Sequence, residues 1–466
     1  MWIKNKKIIN FINGNDHIFY LKQILKKIII KPSDKLAILS YNCPGFALLV
    51  KACWDMDVIV IPVDIKFNSK KIHSLLKKIG CSTIVVGKNL DYSDDRSIKS
   101  HPMDEIVKLK NSELSILNIG IIKKQNDRFS NILFSSGTQN VSPKIILNSL
   151  YNHYWSALGS QENINFETDH TWLANLPMYH ISGFSIIMRC LLKGGSMGFA
   201  PKNVSLTEAI TNLDISHLSM VSTLLYRQLE DKKEIIKLRK LAAILIGGSP
   251  IPFKVIEEAV FLKLPVFNTY GSTEMSSQIS TTMPQDNHEH LKTSGKILKY
   301  REVKISKDSE ILVRGRTLFK GYIRKGRLVA PFDKNGWFKT GDLGYFDKDK
   351  YLHIKGRKDS MFVSGGENIY PEEIEDELFR VPGVKGSLVV PLIDQEFGNI
   401  PVAFIKNDEK KEVKIEYVKE FLNKRIEDYK IPKYFLKWPK KNLNGLKPSR
   451  NRFKEIARNQ LKQDNR

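Results

Sequence analysis

The segment Phe134–Lys144 reads FSSGTQNVSPK and ends an apolar run. Ser135, Ser136, Gly137 and Thr138 offer hydroxyls and a pliant backbone. Such a loop can turn several N–H groups onto phosphate oxygens, and Lys144 adds positive charge. No Gly-Lys-Ser/Thr follows, so it is not a Walker loop. Read alone, a Ser/Gly-rich surface turn is the simpler account. Gly247, Gly248 and Ser249 follow the apolar run Leu241–Ile246, where bare backbone could approach a flat ligand or merely end a strand. His180, in LPMYHISG, sits beside apolar residues, as a satisfied core histidine would. Arg227, in STLLYRQL, falls on an amphipathic helix, where an arginine more often faces solvent.

These residues need a scaffold, and the pattern of the chain supplies one. Lys35–Ser40 reads as a strand, Gly45–Trp54 as a helix, Val58–Val63 as a β-branched run, Lys70–Lys78 as an amphipathic helix and Thr83–Val86 as a buried strand. Strands and helices taking turns predict a parallel sheet covered on both faces. The rhythm resumes after Ile132 through Trp172–Leu176, His217–Val221 and Leu241–Ile246. From about Val303 short segments separated by Gly, Asp and Asn predict antiparallel hairpins and a small barrel. A new unit begins after Arg357. It has helices over Pro371–Phe379 and Ile415–Ile426, strands near Gly386–Pro391 and Val402–Lys406, and a basic final helix. The expected fold is therefore α/β. A large N-terminal domain (1–358) has layered mixed and parallel sheets and a small β-barrel, and a small α+β C-terminal domain covers 359–466.

Composition narrows the function classes. The 466 residues are 42% hydrophobic and 27% charged, the balance of a globular protein of two or three domains. The net charge of +24 comes from 74 Lys and Arg against 50 Asp and Glu. The basic residues are scattered rather than gathered in an arm, so no nucleic-acid partner is expected; an anionic substrate would benefit from the field. Cys43, Cys53, Cys81 and Cys190 have neither disulfide-framework nor metal spacing. With no signal-peptide pattern at the start and no apolar run of membrane length, a cytoplasmic protein without a membrane span is expected.

Four further segments follow the serine-rich loop in order: LPMYHISG at Leu176–Gly183, NTYGSTE at Asn268–Glu274, KTGDLG at Lys339–Gly344 and GRKDSMFVSGGENIYPEEIE at Gly356–Glu375. With the loop they resemble the acyl-adenylate-forming superfamily, which includes acyl-CoA synthetases, luciferases and peptide-synthetase adenylation domains. The resemblance spans about Phe134 to the C-terminus. It implies an enzyme that activates a carboxylic acid with ATP and Mg²⁺ and passes the acyl group to coenzyme A as co-substrate. Ser135, Ser136, Gly137, Thr138 and Lys144 would hold phosphates. Thr273 would contact the α-phosphate and Glu274 would bind Mg²⁺. Tyr270, with Gly271 beside it, would lie against adenine, bordered by Gly247, Gly248 and Ser249. Asp342 and Arg357 would bind the ribose. His180 would stand where the acyl pocket meets the pantetheine tunnel, walled in part by Gly365 and Gly366. The small domain would be mobile about a hinge at Asp359. The adenylating lysine of a Gly-Lys-x-x-Arg pattern matches Lys447 in GLKPSR, with one residue inserted. The phosphate loop departs from the family's S-G-T-T-G-x-P-K: it is one residue longer and lacks the second glycine, which puts its detailed grip in question.

The short chain, the segment WLANLPMYHISGFSIIMRCLLKGG and the stretch from FVSGGENIYPEEIE to NGLKPSR look like bacterial o-succinylbenzoate–CoA ligases. That resemblance implies an aromatic dicarboxylic acid as substrate, in menaquinone biosynthesis. Its second carboxylate, if buried, needs a cation or several donors. Arg227 is the candidate cation and Ser277 a possible donor. Another acyl- or aryl-CoA ligase, a carrier-protein-loading enzyme and an inactive nucleotide-binding member remain the alternatives. The oligomeric state is not legible.

Overall fold

The computed structural model describes the chain apart from residues 1, 5–6, 29–30, 110–113, 124–126, 136–142, 249–250, 284, 409–412, 440–448 and 465–466. The expected strand–helix alternation builds two large sheets. In the eight-stranded one, Lys35–Leu39 lies between Ile59–Val63 and Thr83–Val86, all parallel, with Lys99–Pro102 at one edge. Ile59–Val63 is buried throughout and Lys35–Leu39 at four of five positions, as strands covered on both faces must be. The helix Pro44–Asp55 covers one face. Its proline sits where a missing N–H costs nothing, and ten of its twelve residues are buried. On the other side of Ile59–Val63 come Phe129–Ser135 and its antiparallel neighbour Lys144–Ser149.

The ten-stranded sheet has a parallel centre, in the order Ser196–Phe199, Thr171–Leu173, His217–Met220, Ala243–Gly247, Val266–Ser272. It turns antiparallel at Ser277–Thr281. The long helix Leu150–Ile164 packs by this strand and starts with a reciprocal Ser149–Asn152 capping box. The helix Ile181–Lys193 packs against both, and it ends at Gly194 in the left-handed conformation that glycine adopts without strain.

The hairpins foreseen after Val303 form a four-stranded antiparallel sheet: Arg301–Ile305, Glu310–Gly315, Phe338–Phe346 and Leu352–Arg357. Ile311, Val313, Phe319, Phe338 and Leu352 share a core with Met275 and Ile279, which ties this sheet to the end of the ten-stranded one. Beyond Phe362 the chain builds cores of its own. Helices Pro371–Arg380 and Ile415–Asn423 close over one face of the sheet Val384–Asp394, Gly398–Asn407, Tyr434–Lys437. Helix Arg450–Asp464 inserts Phe453 and Ala457 on the other face. This small lobe touches the large one in a few places. Tyr226 meets Phe379 edge to face at 5.4 Å, the Phe253 amide donates to Asp376 at 3.1 Å, and Lys385 pairs with Glu230 at 2.6 Å. Among the described residues no helix is long and apolar enough to cross a membrane.

Candidate active site

Two neighbouring antiparallel strands put a carboxylate and a guanidinium face to face. Asp342 and Arg357 are directly opposite in Phe338–Phe346 and Leu352–Arg357, and Arg357 Nη1 donates to Asp342 Oδ1 at 3.0 Å. The same nitrogen reaches the Thr340 carbonyl, and Nε reaches Asp359 at 3.1 Å. Burial works against the Arg357 charge, but Asp342 and Asp359 outweigh it and raise its pKa. From the ten-stranded sheet the Tyr270 hydroxyl donates to Asp342 Oδ2 at 2.5 Å. Burial first, and then Asp342, push that phenol well above its ordinary pKa. Tyr270, Asp342, Arg357 and Asp359 thus form one connected group of polar side chains.

Three residues on from Tyr270, Thr273 opens a short turn capped by Ser272, whose hydroxyl accepts from the Met275 amide. Asn148 holds this turn, donating to the Thr273 carbonyl at 3.2 Å and to Ser276 at 2.9 Å. Glu274 accepts from the Tyr322 hydroxyl at 2.8 Å. Burial, then Glu274, raise the Tyr322 pKa. Lys144 stands over the Tyr322 ring at 5.4 Å, and the strand register pairs Lys144 with Ser135. The two ends of the serine-rich loop therefore open beside Glu274. Ser136, Gly137 and Thr138 lie outside the described residues, as do Ser249 and Lys447. Among the described residues no group of three His, Cys, Asp or Glu side chains could hold a metal. Glu274 presents a single carboxylate, and Mg²⁺ binds readily through one carboxylate and the phosphates of a nucleotide.

Gly247 closes the strand Ala243–Gly247 and stands against Thr269, where a Cβ would lie 2.6 Å from Thr269 Cγ2. Gly248 has φ +85°, which favours glycine, and a Cβ there would meet only Val221 Cγ1, at 3.9 Å. Gly271 is tighter: a Cβ would lie 2.1 Å from the Ser277 carbonyl oxygen. His180 caps the helix Ile181–Lys193, half-buried, with its ring edge-on to Tyr179 at 4.7 Å. Gly365 and Gly366 form the turn between Phe362–Ser364 and Glu367–Ile369, both at positive φ, +58° and +91°. Conformation rather than crowding demands glycine at Gly366, which has nothing within 4 Å of a would-be Cβ.

The expectation of Arg227 as a buried cation is corrected. It lies exposed on the outer face of Ser222–Leu229, because Leu225 and Leu229 take that helix's buried face. The buried guanidinium belongs to Arg189, only 5% exposed, on the helix Ile181–Lys193. Its Nη2 donates to Ser277 Oγ at 3.1 Å and to Gln278 Oε1 at 2.9 Å, and its Nε has no partner. The guanidinium also stands 5.0 Å over the Trp172 ring. Burial lowers its pKa to about 10, which leaves it charged at neutral pH. Ser277, the donor named from the sequence, is a neighbour of Arg189 and not of Arg227. A second buried arginine, Arg301, donates from all three nitrogens to the carbonyls of Gln278, Lys299 and Ser156 and to the Ser156 hydroxyl. Sequence reasoning also passed over Tyr322, which carries no motif, and Arg189, which sits in a run of apolar residues where its charge looked incidental.

With this geometry in place, the chain can be compared with known proteins. Residues 11–323 match the AMP-binding enzyme family, and residues 373–443 match the AMP-binding enzyme C-terminal domain. A 2-succinylbenzoate–CoA ligase of Geobacillus sp. (strain WCH70) is 31% identical over 449 residues, covering 93% of this chain and 88% of the relative. The o-succinylbenzoate CoA synthetase of Bacillus subtilis in complex with the acyl-adenylate intermediate OSB-AMP superposes with a TM-score of 0.82 at 28% identity, over 97% of this chain and 96% of the other. A double mutant of the Bacillus subtilis enzyme, bound with its product analogue OSB-NCoA, superposes with 0.65, again at 28% identity, over 96% and 95%. The chain belongs to the family of AMP-binding enzymes.

Proposed function

We propose that this chain is an AMP-forming o-succinylbenzoate–CoA ligase: o-succinylbenzoate, ATP and coenzyme A give o-succinylbenzoyl-CoA, AMP and diphosphate. The similarity to ligases of that name along nearly the whole chain supports the reaction. One observation of this structure carries the substrate. Arg189 is a buried cation whose bonded partners are neutral, with its Nε–H unpartnered. Such a group awaits an anion, because an unpaired buried charge is costly. A substrate with a second, non-reacting carboxylate supplies one.

The residues divide the work. Asp342, exchanging its bond from Tyr270 for bonds from the ribose hydroxyls, holds the sugar with Arg357, and the Tyr270 ring lies along the adenine with Gly247 and Gly248 at its border. Thr273 and the loop from Ser135 to Lys144 face the phosphates. Mg²⁺, held by Glu274, would neutralise phosphate charge. The succinyl carboxylate attacks the α-phosphorus and diphosphate leaves. Lys447 bridges the two anions in this step, which is chiefly one of positioning and fixed charge. The sulfur of coenzyme A then attacks the acyl carbonyl beside His180 and AMP leaves, with the pantetheine arm passing Gly365 and Gly366.

The domain boundary falls at about Lys358, with Asp359 as the hinge. The drop from 0.82 to 0.65 between two complexes of the Bacillus subtilis enzyme supports a lobe that takes more than one orientation, and this chain stands nearer the acyl-adenylate complex. The four cysteines are free and buried, in keeping with a reducing cytoplasm.

The deciding experiment is ATP- and Mg²⁺-dependent diphosphate release from the purified protein, with and without coenzyme A. The acids offered are o-succinylbenzoate, benzoates and fatty acids. Release and thioester formation with o-succinylbenzoate alone are expected. Preference for a monocarboxylic acid would overturn the substrate, and no release with any acid would overturn the activity.

A further inference from the structure

Tyr322 belongs to none of the motifs read from the sequence, yet its hydroxyl donates to Glu274 Oε1 at 2.8 Å across 48 positions of chain. A carboxylate has two oxygens. One such bond stops the side chain from turning and leaves Glu274 Oε2 for a cation. Tyr322 is buried, at 5% exposed, and a hydrogen bond to a charged group is stronger there than in water.

The tyrosine is itself held on every side. Its ring lies edge-on to Phe319 at 4.9 Å and to Phe338 at 6.4 Å, in the core that also takes Met275. The Lys144 ammonium and the Arg324 guanidinium stand 5.4 and 5.6 Å from the ring centre. The backbone is fixed as well. The Phe319 amide donates to the Glu274 carbonyl at 2.7 Å, and the Lys320 amide donates to the Leu147 carbonyl at 2.8 Å. Tyr322 pairs with Ile146 in the strand Lys144–Ser149. The segment Phe319–Tyr322 therefore grips Glu274 twice, by main chain and by side chain. It is anchored in turn to the strand that starts at Lys144, where the serine-rich loop ends.

We infer that Tyr322 is the positioning residue for Glu274: its hydroxyl engages one carboxylate oxygen and fixes the orientation of the other, so that Mg²⁺ arriving with ATP meets a ligand already in place. Tyr322 acts through Glu274 and is not itself a ligand. A ligand ordered beforehand adds affinity because its freedom is not lost on binding. This rests on the ligase reading and on Glu274 as the Mg²⁺ ligand.

Calorimetry of ATP binding to the full-length protein tests it, once with Mg²⁺ and once with a chelator in its place. Wild type, Tyr322→Phe, Glu274→Gln and the double variant are compared by the gain in ATP affinity that Mg²⁺ confers. Tyr322→Phe keeps the ring against Phe319 and Phe338 and removes only the hydroxyl. It is expected to leave metal-free ATP affinity within about twofold and to cut the Mg²⁺-dependent gain about tenfold, as loss of a partner behind a metal ligand does. Glu274→Gln should lose at least as much, and adding Tyr322→Phe to it should cost nothing more. The Mg²⁺ concentration for half-maximal diphosphate release should rise in Tyr322→Phe by the same factor, with the rate at saturating Mg²⁺ within about twofold of wild type. Equal weakening of ATP with and without the metal would make Tyr322 a packing residue and overturn the inference. A gain lost in Glu274→Gln but kept in Tyr322→Phe would overturn the positioning role alone. A gain kept in Glu274→Gln would overturn the metal assignment, and the inference with it.

Discussion

Arg189 keeps its charge in a setting where every bonded neighbour is a neutral oxygen, from Ser277 and Gln278. Replacing it by alanine removes a charge-assisted contact worth about 1.5–3 kcal/mol. The KM for o-succinylbenzoate is therefore expected to rise by roughly tenfold to a hundredfold, with the KM for ATP unchanged. Steady-state kinetics check this, with a control: an aroyl-propionate lacking the ring carboxylate should be handled equally by wild type and variant. Equal loss on both acids would make Arg189 a packing residue. At the residue scale the sequence reading and the geometry agree in part. Tyr270, Asp342 and Arg357 were legible because motif order fixed them, and they meet within hydrogen-bonding distance. The buried arginine proposed to meet the second carboxylate was not. Arg227 and Arg189 are both arginines on helices, and burial alone separates them. Burial depends on which face of each helix the sheet claims. Arg189 follows Ile186, Ile187 and Met188 in a helix buried almost all round, so its setting was the better signal.

At the scale of elements, the site depends on how closely two strands approach. Val266–Ser272 and Ser277–Thr281 pair antiparallel with an irregular register at Tyr270 and Gly271. The turn between them holds Ser276 and Ser277 at φ +53° and +118°, conformations that cost energy for residues with a side chain. That turn aims Thr273 and Glu274 to one side and Ser277 to the other. Gly271→Ala would set a methyl 2.1 Å from the Ser277 carbonyl oxygen. Backbone must shift, at a cost of about 1–3 kcal/mol. The expected outcome is a lower unfolding midpoint together with weaker use of both ATP and acid, because both halves of the site hang on that pairing. An unchanged midpoint would show that the strands separate freely. The alternation of strands and helices was legible from hydrophobic period alone, to within a residue or two at Lys35–Leu39, Pro44–Asp55 and Thr83–Val86. The irregular turn was not, since no residue of it is a glycine and only the pairing imposes its geometry.

At the scale of the whole molecule, the seating of the small lobe has a titratable group in it. Asp376 lies on the helix Pro371–Arg380 and accepts from the Phe253 amide of the large lobe at 3.1 Å. Burial, its largest influence, raises its pKa from 3.8 to about 6; Glu377 and Glu257 push the same way, while the Phe253 N–H and Arg380 oppose them. If the lobe swings about Asp359, Asp376 leaves Phe253 and returns towards its ordinary value. The seated form therefore holds a proton that the released form gives up. Its stability relative to the released form is fully present below about pH 4, declines between about 4 and 6, and is lowest above 6. Release of the lobe should accordingly be easier at pH 7 than at pH 5. Small-angle scattering across that range reads the balance directly, and single-turnover thioester formation reads its consequence. Asp376→Asn keeps an oxygen for the Phe253 amide and removes the titration, so it should flatten the part of the pH dependence lying between 4 and 6. An identical profile in the variant would place that dependence elsewhere. The sequence offered no view of this contact: Asp376 and Phe253 are 123 positions apart, and only the docking of two separately cored lobes brings them together.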